Sequence, residues 1–324
     1  MPTLTVVIPV FIEAAQIRAT LAALDRALEE SSFEPDVLVV DDGSTDGTAE
    51  AIEAAGGATV CRQVNRGRFE TRRAGIELAR GEYCLLLDSR VRLDPGALRF
   101  VEEHLEPGRE IWNGHVDIDR EDGPYAVFWD VLTRRAFRTY FGEPRTTSFG
   151  LADFERFPKG TTCLFAPRAM LLEAFERFRS GYDDLRNAND DAPVLRSLAA
   201  VQPINISPGF RCTYSTRTEL RGFLRHAFHR GTVFVDGHGR PESAWFPILI
   251  GLFVSSAGCV LVARRSPAVV VAAAAVAGAG GAALSLAERR PRDAATMAWV
   301  TPLYAAAHVA GMWRGLGLLV RARL

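Results

Sequence analysis

Lysine is almost missing from this chain: of 38 basic residues only Lys159 is lysine, and every other one is arginine. A codon preference for arginine and alanine accounts for the general pattern and makes Lys159 the exception. A surplus of charge is missing too, because 39 acidic residues bring the formal net charge to −1. With no global basic field, nothing in the composition argues for nucleic acid as a partner. Cysteine is sparse, and Cys61, Cys84, Cys163, Cys212 and Cys259 show no CxxC or Cys/His ligand spacing. Reduced, mostly buried thiols in a cytosolic compartment are expected rather than a structural zinc site. There is no Walker A, no Ser-His-Asp order and no GxGxxG after a strand. Kinase, hydrolase and dehydrogenase chemistry therefore lack their signatures. The amino terminus enters a strand without a basic, apolar, cleavable preface, so no signal peptide is expected.

What is present begins at residues 37–48, Val-Leu-Val-Val-Asp-Asp-Gly-Ser-Thr-Asp-Gly-Thr. An apolar, β-branched run that stops at Asp41 and Asp42 reads as a buried parallel strand delivering two carboxylates to the carboxyl edge of a sheet. Ligands bind at that edge where strand order reverses. Paired acids there suit hydroxyl and N–H donors, as in a ribose and a base, and repel phosphate unless a cation intervenes. Ser44, Thr45 or Asp46 is placed to cap a helix near 47–55. Strands at 3–10, 37–41, 58–62 and 83–88 alternate with helices at 13–30 and 66–80. That alternation predicts an α/β fold with a doubly wound, mostly parallel sheet.

Val-Val-Ile-Pro-Val at 6–10, Val-Asp-Asp-Gly-Ser-Thr-Asp-Gly-Thr at 40–48, and the run from Ala74 through Gly81 into Leu-Leu-Leu-Asp form an ordered set. Over roughly the first hundred residues this set resembles a family 2 glycosyltransferase of GT-A fold. The resemblance implies a nucleotide-sugar donor bound by Pro9, Val10, Glu13, Asp41, Asp42, Ser44, Arg72, Asp88, Ser89 and Arg90. It also implies an Asp-x-Asp motif after the strand ending at Asp88, whose two carboxylates hold a divalent ion against the diphosphate. This chain has Asp88-Ser89-Arg90, with a cation in place of the second carboxylate. Asp94 precedes Pro95-Gly96-Ala97 and reads as a helix N-cap instead. Two alternatives stay open. Either Asp88 binds Mg or Mn with water and phosphate ligands, or Arg90 and Lys159 bring positive charge to the diphosphate directly.

The resemblance further implies a catalytic base at a helix start, matched by Asn189-Asp190-Asp191. The family places an Arg six residues beyond its Asp; Arg196 lies six from Asp190 and five from Asp191. Both remain candidates, with Asp191 slightly favoured. The segment from Phe157 to Phe165 resembles the family's acceptor-side strand, and Lys159 in it is a candidate phosphate contact, against a solvated loop lysine.

The carboxyl third changes character. Residues 245–263, 268–287 and 294–320 are apolar and each near the roughly 20 residues that span a bilayer. With a cytosolic catalytic domain, three spans place Arg264-Arg265 and Arg321/Arg323 outside, against the positive-inside trend. One segment is then re-entrant or interfacial. Ahead of these runs Arg217, Arg221 and Arg225, with His229 and Arg230, make a basic helical stripe over about 216–231. Beside apolar Leu220, Phe223, Leu224 and Phe228 it reads as an interfacial helix for anionic headgroups or a polyprenyl phosphate. His226, His229 and His238 do not share one face, so metal ligation there is not expected. Residues 128–141 read as a core-packing aromatic helix. The Gln-x-x-Arg-Trp element of processive synthases is absent.

Taken together, the expectation is a GT-A catalytic domain over 1–240 and a membrane domain over 241–324. It would be an inverting transferase in the cytoplasmic membrane, moving a sugar from a nucleotide sugar to a lipid-linked saccharide. A polyprenyl phosphate acceptor is the first alternative and a non-catalytic nucleotide-sugar binder the second. Homo-oligomerisation is left open.

Overall fold

Strand β1 (Thr3–Val10) is buried along nearly its whole length and lies between two parallel neighbours, β2 (Glu34–Asp41) and β4 (Tyr83–Leu87). The computed structural model describes residues 2–243 and 245–323. Strand β3 (Thr59–Arg62) extends the parallel half beyond β2. The chain then crosses to the other side of β4, where β8 (Cys163–Pro167) runs antiparallel to it. Outward follow β6 (Trp112–Ile118), β9 (Ile204–Tyr214) and β5 (Val91–Leu93), giving the order β3-β2-β1-β4-β8-β6-β9-β5, with β7 (Thr147–Phe149) pairing β9 off that path. The order reverses at β1, so the crevice lies at the carboxyl ends of β1, β2 and β4. Val10 stands in register with Asp41, which brings the carboxyl ends of β1 and β2 level.

Two compact units emerge. The first holds the sheet and comprises residues up to Asp119, Phe137–Arg179 and Asp190–Ser215. Its helices are α1 (Ile17–Glu29), α2 (Thr48–Ala55), α3 (Arg68–Leu78), α4 (Ala97–Glu103), α6 (Arg138–Phe141), α7 (Arg168–Arg177) and α8 (Asp191–Ala199). Leu4, Val6, Ile8, Val39, Leu85, Leu87, Phe165 and Phe210 form its dry core, each worth roughly 1.5–3 kcal/mol of transfer free energy when fully buried. Helix α3 approaches β1 closely because Gly75 has no side chain; a Cβ there would sit 2.2 Å from Val7 Cγ1.

The second unit comprises Arg120–Ala136, Ser180–Asn189 and Thr216 onward. It contains α5 (Pro124–Ala136), α9 (Leu220–His238), α10 (Phe246–Ala263), α11 (Ala268–Ala287) and α12 (Ala294–Arg321). The last three are long and apolar enough to cross a membrane, with mean hydropathies of 2.3, 2.0 and 1.2. Tyr125, Phe128 and Val131 of α5 pack with Phe223 of α9 and with Met297 and Val300 of α12.

Several boundaries differ from the sequence reading, each for a local reason. The first helix starts at Ile17 rather than Glu13, because the amides of Ile12, Glu13 and Ala14 are taken by Ser44 Oγ, Thr48 Oγ1 and Asp46 Oδ2 at 2.9, 2.9 and 3.1 Å. Those side chains thus tie two loops together; Gly47 at φ 83° flanks the start of α2, and Asp46 caps it as expected, its Oδ1 accepting the Thr48 amide at 3.2 Å. Asp94 is not the cap of α4, which begins after Gly96 without a side-chain cap bond. The aromatic helix breaks at Phe137 into α5 and α6. The basic helix starts at Leu220 and runs on to His238, leaving Arg217 before it.

Candidate active site

The crevice is framed by loops held to one another through side chains. Asp41, fully buried, accepts the Ser44 amide through Oδ1 at 2.8 Å, while its Oδ2 lies 3.2 Å from Arg62 Nε. Asp42 accepts three bonds: Gln63 Nε2 (2.7 Å) and the Arg66 amide (2.8 Å) on Oδ1, and the Gly67 amide (2.8 Å) on Oδ2. Asp42 therefore fixes the segment that leads into Arg68, the first residue of α3. It delays that helix past Gly67, which adopts φ 90°. Ser44 Oγ reaches the Ile12 amide, and Ile12, a β-branched residue, sits at φ 58°. A left-handed conformation at such a residue is strained, and strain of this kind collects at ligand-binding loops. Pro9 and Val10 form the end of β1 beneath this loop, where the Val10 carbonyl accepts the Asp42 amide at 2.9 Å.

Asp88 directly follows β4 and opens a tight turn, its Oδ1 accepting the Arg90 amide at 3.1 Å. The Ser89 carbonyl accepts Thr20 Oγ1 at 2.8 Å. Arg90 turns its Nε to Glu13 Oε1 at 2.8 Å, and its side chain is only 16% exposed. Burial alone would lower the Arg90 pKa; the hydrogen bond and charge of Glu13, with Tyr214 and Asp88, raise it instead. The cation in the Asp88-Ser89-Arg90 motif thus carries its own counter-charge.

A second cluster gathers at the start of α8. Arg72 Nη1 donates to Asp190 Oδ2 at 2.8 Å and lies 3.7 Å from Asp191 Oδ1. Arg72 and Asp190 are buried, at 3% and 2% side-chain exposure, whereas Asp191 is 40% exposed. Burial would lower the Arg72 pKa, but Asp190, Asp191 and Asp88 together raise it. Asp191 Oδ1 also accepts from the Thr161 amide at 3.3 Å and from Thr161 Oγ1. Desolvation pushes the Asp191 pKa up; Arg72, then Arg68 and the Thr161 bonds, outweigh it and hold the carboxyl below the ordinary range. The neighbouring Thr162 carbonyl accepts the Asp88 amide at 2.8 Å, so the loop before β8 touches both acidic centres.

Of the residues singled out from sequence, Pro9, Val10, Glu13, Asp41, Asp42, Ser44, Arg72, Asp88, Ser89, Arg90, Asp190 and Asp191 lie in this connected set. Lys159 is held elsewhere, 8% exposed, with Nζ on the Phe157 carbonyl (3.1 Å), near Glu155 (3.7 Å) and 4.4 Å from the Phe154 ring centroid. It is not a solvated loop lysine, and burial lowers its pKa. Arg221, Arg225 and Arg230 are exposed on α9, with Arg230 lying 5.0 Å from the Trp129 ring centroid; Arg217 and His229 are half-buried. Arg68 and Thr161 were not picked out from sequence. Gly67 before Arg68 and the Gly160-Thr161-Thr162 turn were the signals available.

As a metal site the donor set is thin. Among the described residues no group of three or more His, Cys, Asp or Glu side chains is placed to hold an ion. Asp88 stands as one carboxylate beside a guanidinium, and the nearby Glu13 is committed to that guanidinium. The residues present do not fit a resident divalent ion.

Residues 5–178 match the family profile described as "Glycosyl transferase family 2". Among curated proteins the chain is similar to the undecaprenyl-phosphate 4-deoxy-4-formamido-L-arabinose transferase of Pseudomonas aeruginosa (strain LESB58), at 30% identity over 46% of this chain and 44% of that protein. The enzyme of the same name from Aeromonas hydrophila is 32% identical over 32% of this chain and 33% of its own length. The matched part thus spans less than half the length of these relatives. Among solved structures, the mannosyltransferase PcManGT from Pyrobaculum calidifontis, in complex with GDP-Man and Mn2+, superposes with a TM-score of 0.57 at 18% identity, covering 97% of this chain and 87% of that one. That likeness establishes a GT-A fold. The sheet order, the acidic strand ends and the profile match over more than half the chain agree: this chain belongs to glycosyl transferase family 2.

Proposed function

We infer that the protein transfers a sugar, with inversion, from a nucleoside-diphosphate donor to a polyprenyl phosphate at the cytosolic face of the cytoplasmic membrane. The observation that carries this reading is the setting of Asp191, whose Oδ1 accepts the Thr161 amide and Oγ1 and lies 3.7 Å from Arg72 Nη1. A general base works best with a pKa near the working pH. Arg72 and Arg68 push Asp191 the other way. A phosphate acceptor is ionised at neutral pH and needs no such base, whereas a sugar hydroxyl does. The names of the undecaprenyl-phosphate relatives support the same acceptor class, as do the exposed arginines of α9.

In this reading residues 1–240 form the transferase and 241–324 the anchor. Asp41 and the loop held by Ser44 receive the nucleoside, and Arg68 meets the diphosphate. A phosphate oxygen of the acceptor attacks the anomeric carbon. The bond from that carbon to the diphosphate breaks, and the nucleoside diphosphate leaves with the electron pair. Asp191 lends negative charge to the developing oxocarbenium. Donor base and sugar are set by loops that fold-level likeness does not decide.

Incubating the full chain in detergent with a panel of nucleotide sugars and a polyprenyl phosphate tests the reading. A mass-resolved lipid-phosphate sugar is the expected product. Transfer only to a lipid-linked saccharide would instead establish the second acceptor class, which the partial exposure of Asp191 at a helix start favours. Donor turnover no faster than buffer hydrolysis would leave a nucleotide-sugar binder.

A further inference from the structure

The turn between α11 and α12 is built as an arginine cluster that neither the donor crevice nor α9 uses. A cavity of about 470 Å³ opens there, lined by Arg120, Arg289, Arg290, Arg292, Pro291 and Asp293. Arg120 donates to Asp130 and Asp293, both at 2.7 Å, and Arg290 and Arg134 also bond Asp130. Asp130 is 4% exposed and Asp293 11%, so this inner ring is fixed on buried carboxylates. Arg289 and Arg292 are exposed and enter no ion pair among the described residues. Five guanidinium groups therefore gather with two carboxylates, and of the five the outer Arg289 and Arg292 are the ones left exposed to a ligand.

A second observation concerns the backbone. Arg289 sits at φ 57°, the left-handed conformation that ends a helix and that glycine adopts most easily. Its amide bonds the Leu286 carbonyl at 2.9 Å, and Arg290 is pinned on both sides to Ser285, through its amide (2.9 Å) and its carbonyl. An arginine is thus held in a strained cap position while its side chain stays free. Helix α11 has 20 residues and spans about 30 Å at ~1.5 Å per residue, the thickness of a bilayer core. Crossing a bilayer, it would end at this turn at the depth of the lipid phosphates.

We propose that Arg289 and Arg292, braced by the Arg120–Asp130–Arg290–Asp293 ring, bind the phosphate of an anionic phospholipid headgroup. The site seats the α11–α12 turn at the membrane surface and is separate from the donor crevice. Its chemistry suits any phosphate, so the source has to be distinguished by experiment.

The full chain in uncharged detergent micelles is heated with phosphatidylglycerol, with phosphatidylcholine, or with inorganic phosphate at matched concentration. Phosphatidylglycerol is expected to raise Tm while phosphatidylcholine does not. The pair Arg289→Asn and Arg292→Gln should remove most of that rise. Without lipid its Tm should not fall, since Asn accepts the left-handed conformation and neither arginine is paired. Arg221→Gln with Arg225→Gln on α9 should leave the component dependent on residues 289 and 292 intact. A rise that survives the 289/292 pair overturns the site. An equal rise with inorganic phosphate overturns the assignment to lipid.

Discussion

Asp190 and Asp191 are adjacent and chemically identical, yet burial gives them different work. Asp190 sits at 2% exposure against Arg72, which among the described residues has no other hydrogen-bonded carboxylate. Asp190→Asn leaves a buried guanidinium without its hydrogen-bonded charge partner, with Asp191 at 3.7 Å as the remaining nearby carboxylate. Breaking such a pair costs about 3–5 kcal/mol, so a lower Tm is expected before any kinetic effect is interpreted. Asp191→Asn should leave Tm nearly unchanged. With a lipid phosphate as acceptor its kcat should fall by less than about 100-fold, below the range that loss of a general base produces. The pH profile separates the cases further. The Asp191 pKa is lowered by Arg72 and Arg68, so the group stays ionised as pH falls until below the ordinary carboxylate value of about 4. A rate limited by Asp191 as base would keep its acid limb down there. A rate limited by the second ionisation of a phosphate should instead fall off near pH ~6, in the unsubstituted chain and in Asp191→Asn alike. Arg90 carries a related prediction about metal. Arg90→Asp restores a second carboxylate and releases Glu13, so donor binding measured by calorimetry should become dependent on Mn or Mg. In the unsubstituted chain, chelator should change donor affinity by less than about two-fold, in keeping with the single carboxylate at Asp88.

Helix α9 holds the segment that precedes Asp190 in the chain through a residue that no motif marks. Asp236, 7% exposed, accepts from Ser180 Oγ (2.9 Å), the Gly181 amide (2.6 Å) and the Asn189 amide (2.7 Å). Tyr182 OH donates to the Thr232 carbonyl on the same helix at 2.7 Å. The segment from Ser180 to Asn189, which runs directly into Asp190, is therefore gripped at both ends by α9. Asp236→Ala strands three donors at a cost of about 1–3 kcal/mol each. It is expected to lower kcat more than it raises the donor KM, and Asp236→Asn, which keeps an acceptor oxygen, should recover part of the loss. Proportional changes in both constants would mean the grip serves stability alone. The strands at 3–10 and 83–88 were legible in sequence because β-branched and leucine runs stop at turn residues or carboxylates. Asp236 and Thr161 were not, since they meet their partners across 47 and 30 residues and only the folded chain brings them together. Lys159 misled in the opposite sense: rarity drew attention to a side chain that packs on Phe154.

Three apolar helices do not oblige three crossings. Helices α10 and α11 have high hydropathy and no charged residue, while α12 contains His308 and Arg314 and averages 1.2. Helix α12 also runs beside α9: Met297 clusters with Phe223, a Cβ on Gly231 would meet the His308 carbonyl at 1.9 Å, and Leu319 lies near Gly239. Thr232 Oγ1 donates to the Gly311 carbonyl at 3.1 Å, a direct bond between the two helices. Exposed Arg221, Arg225 and Arg230 keep α9 out of hydrocarbon. We propose that α12, in backbone contact with α9 over that length, stays with it at the interface. Two crossings, α10 and α11, then return the chain to its starting side, and the tail with Arg321 and Arg323 joins the Arg289–Arg292 turn there. This arrangement removes half of the conflict with the positive-inside trend and leaves only Arg264-Arg265 on the far face. In a chain whose five cysteines are replaced by serine, Arg240→Cys and Arg323→Cys are expected to react with a membrane-impermeant maleimide from one face of sealed vesicles. Ser266→Cys should react from the other. Labelling of Arg323→Cys from the same face as Ser266→Cys would mean that α12 crosses as well, and that its contact with α9 is made by a helix leaving the surface.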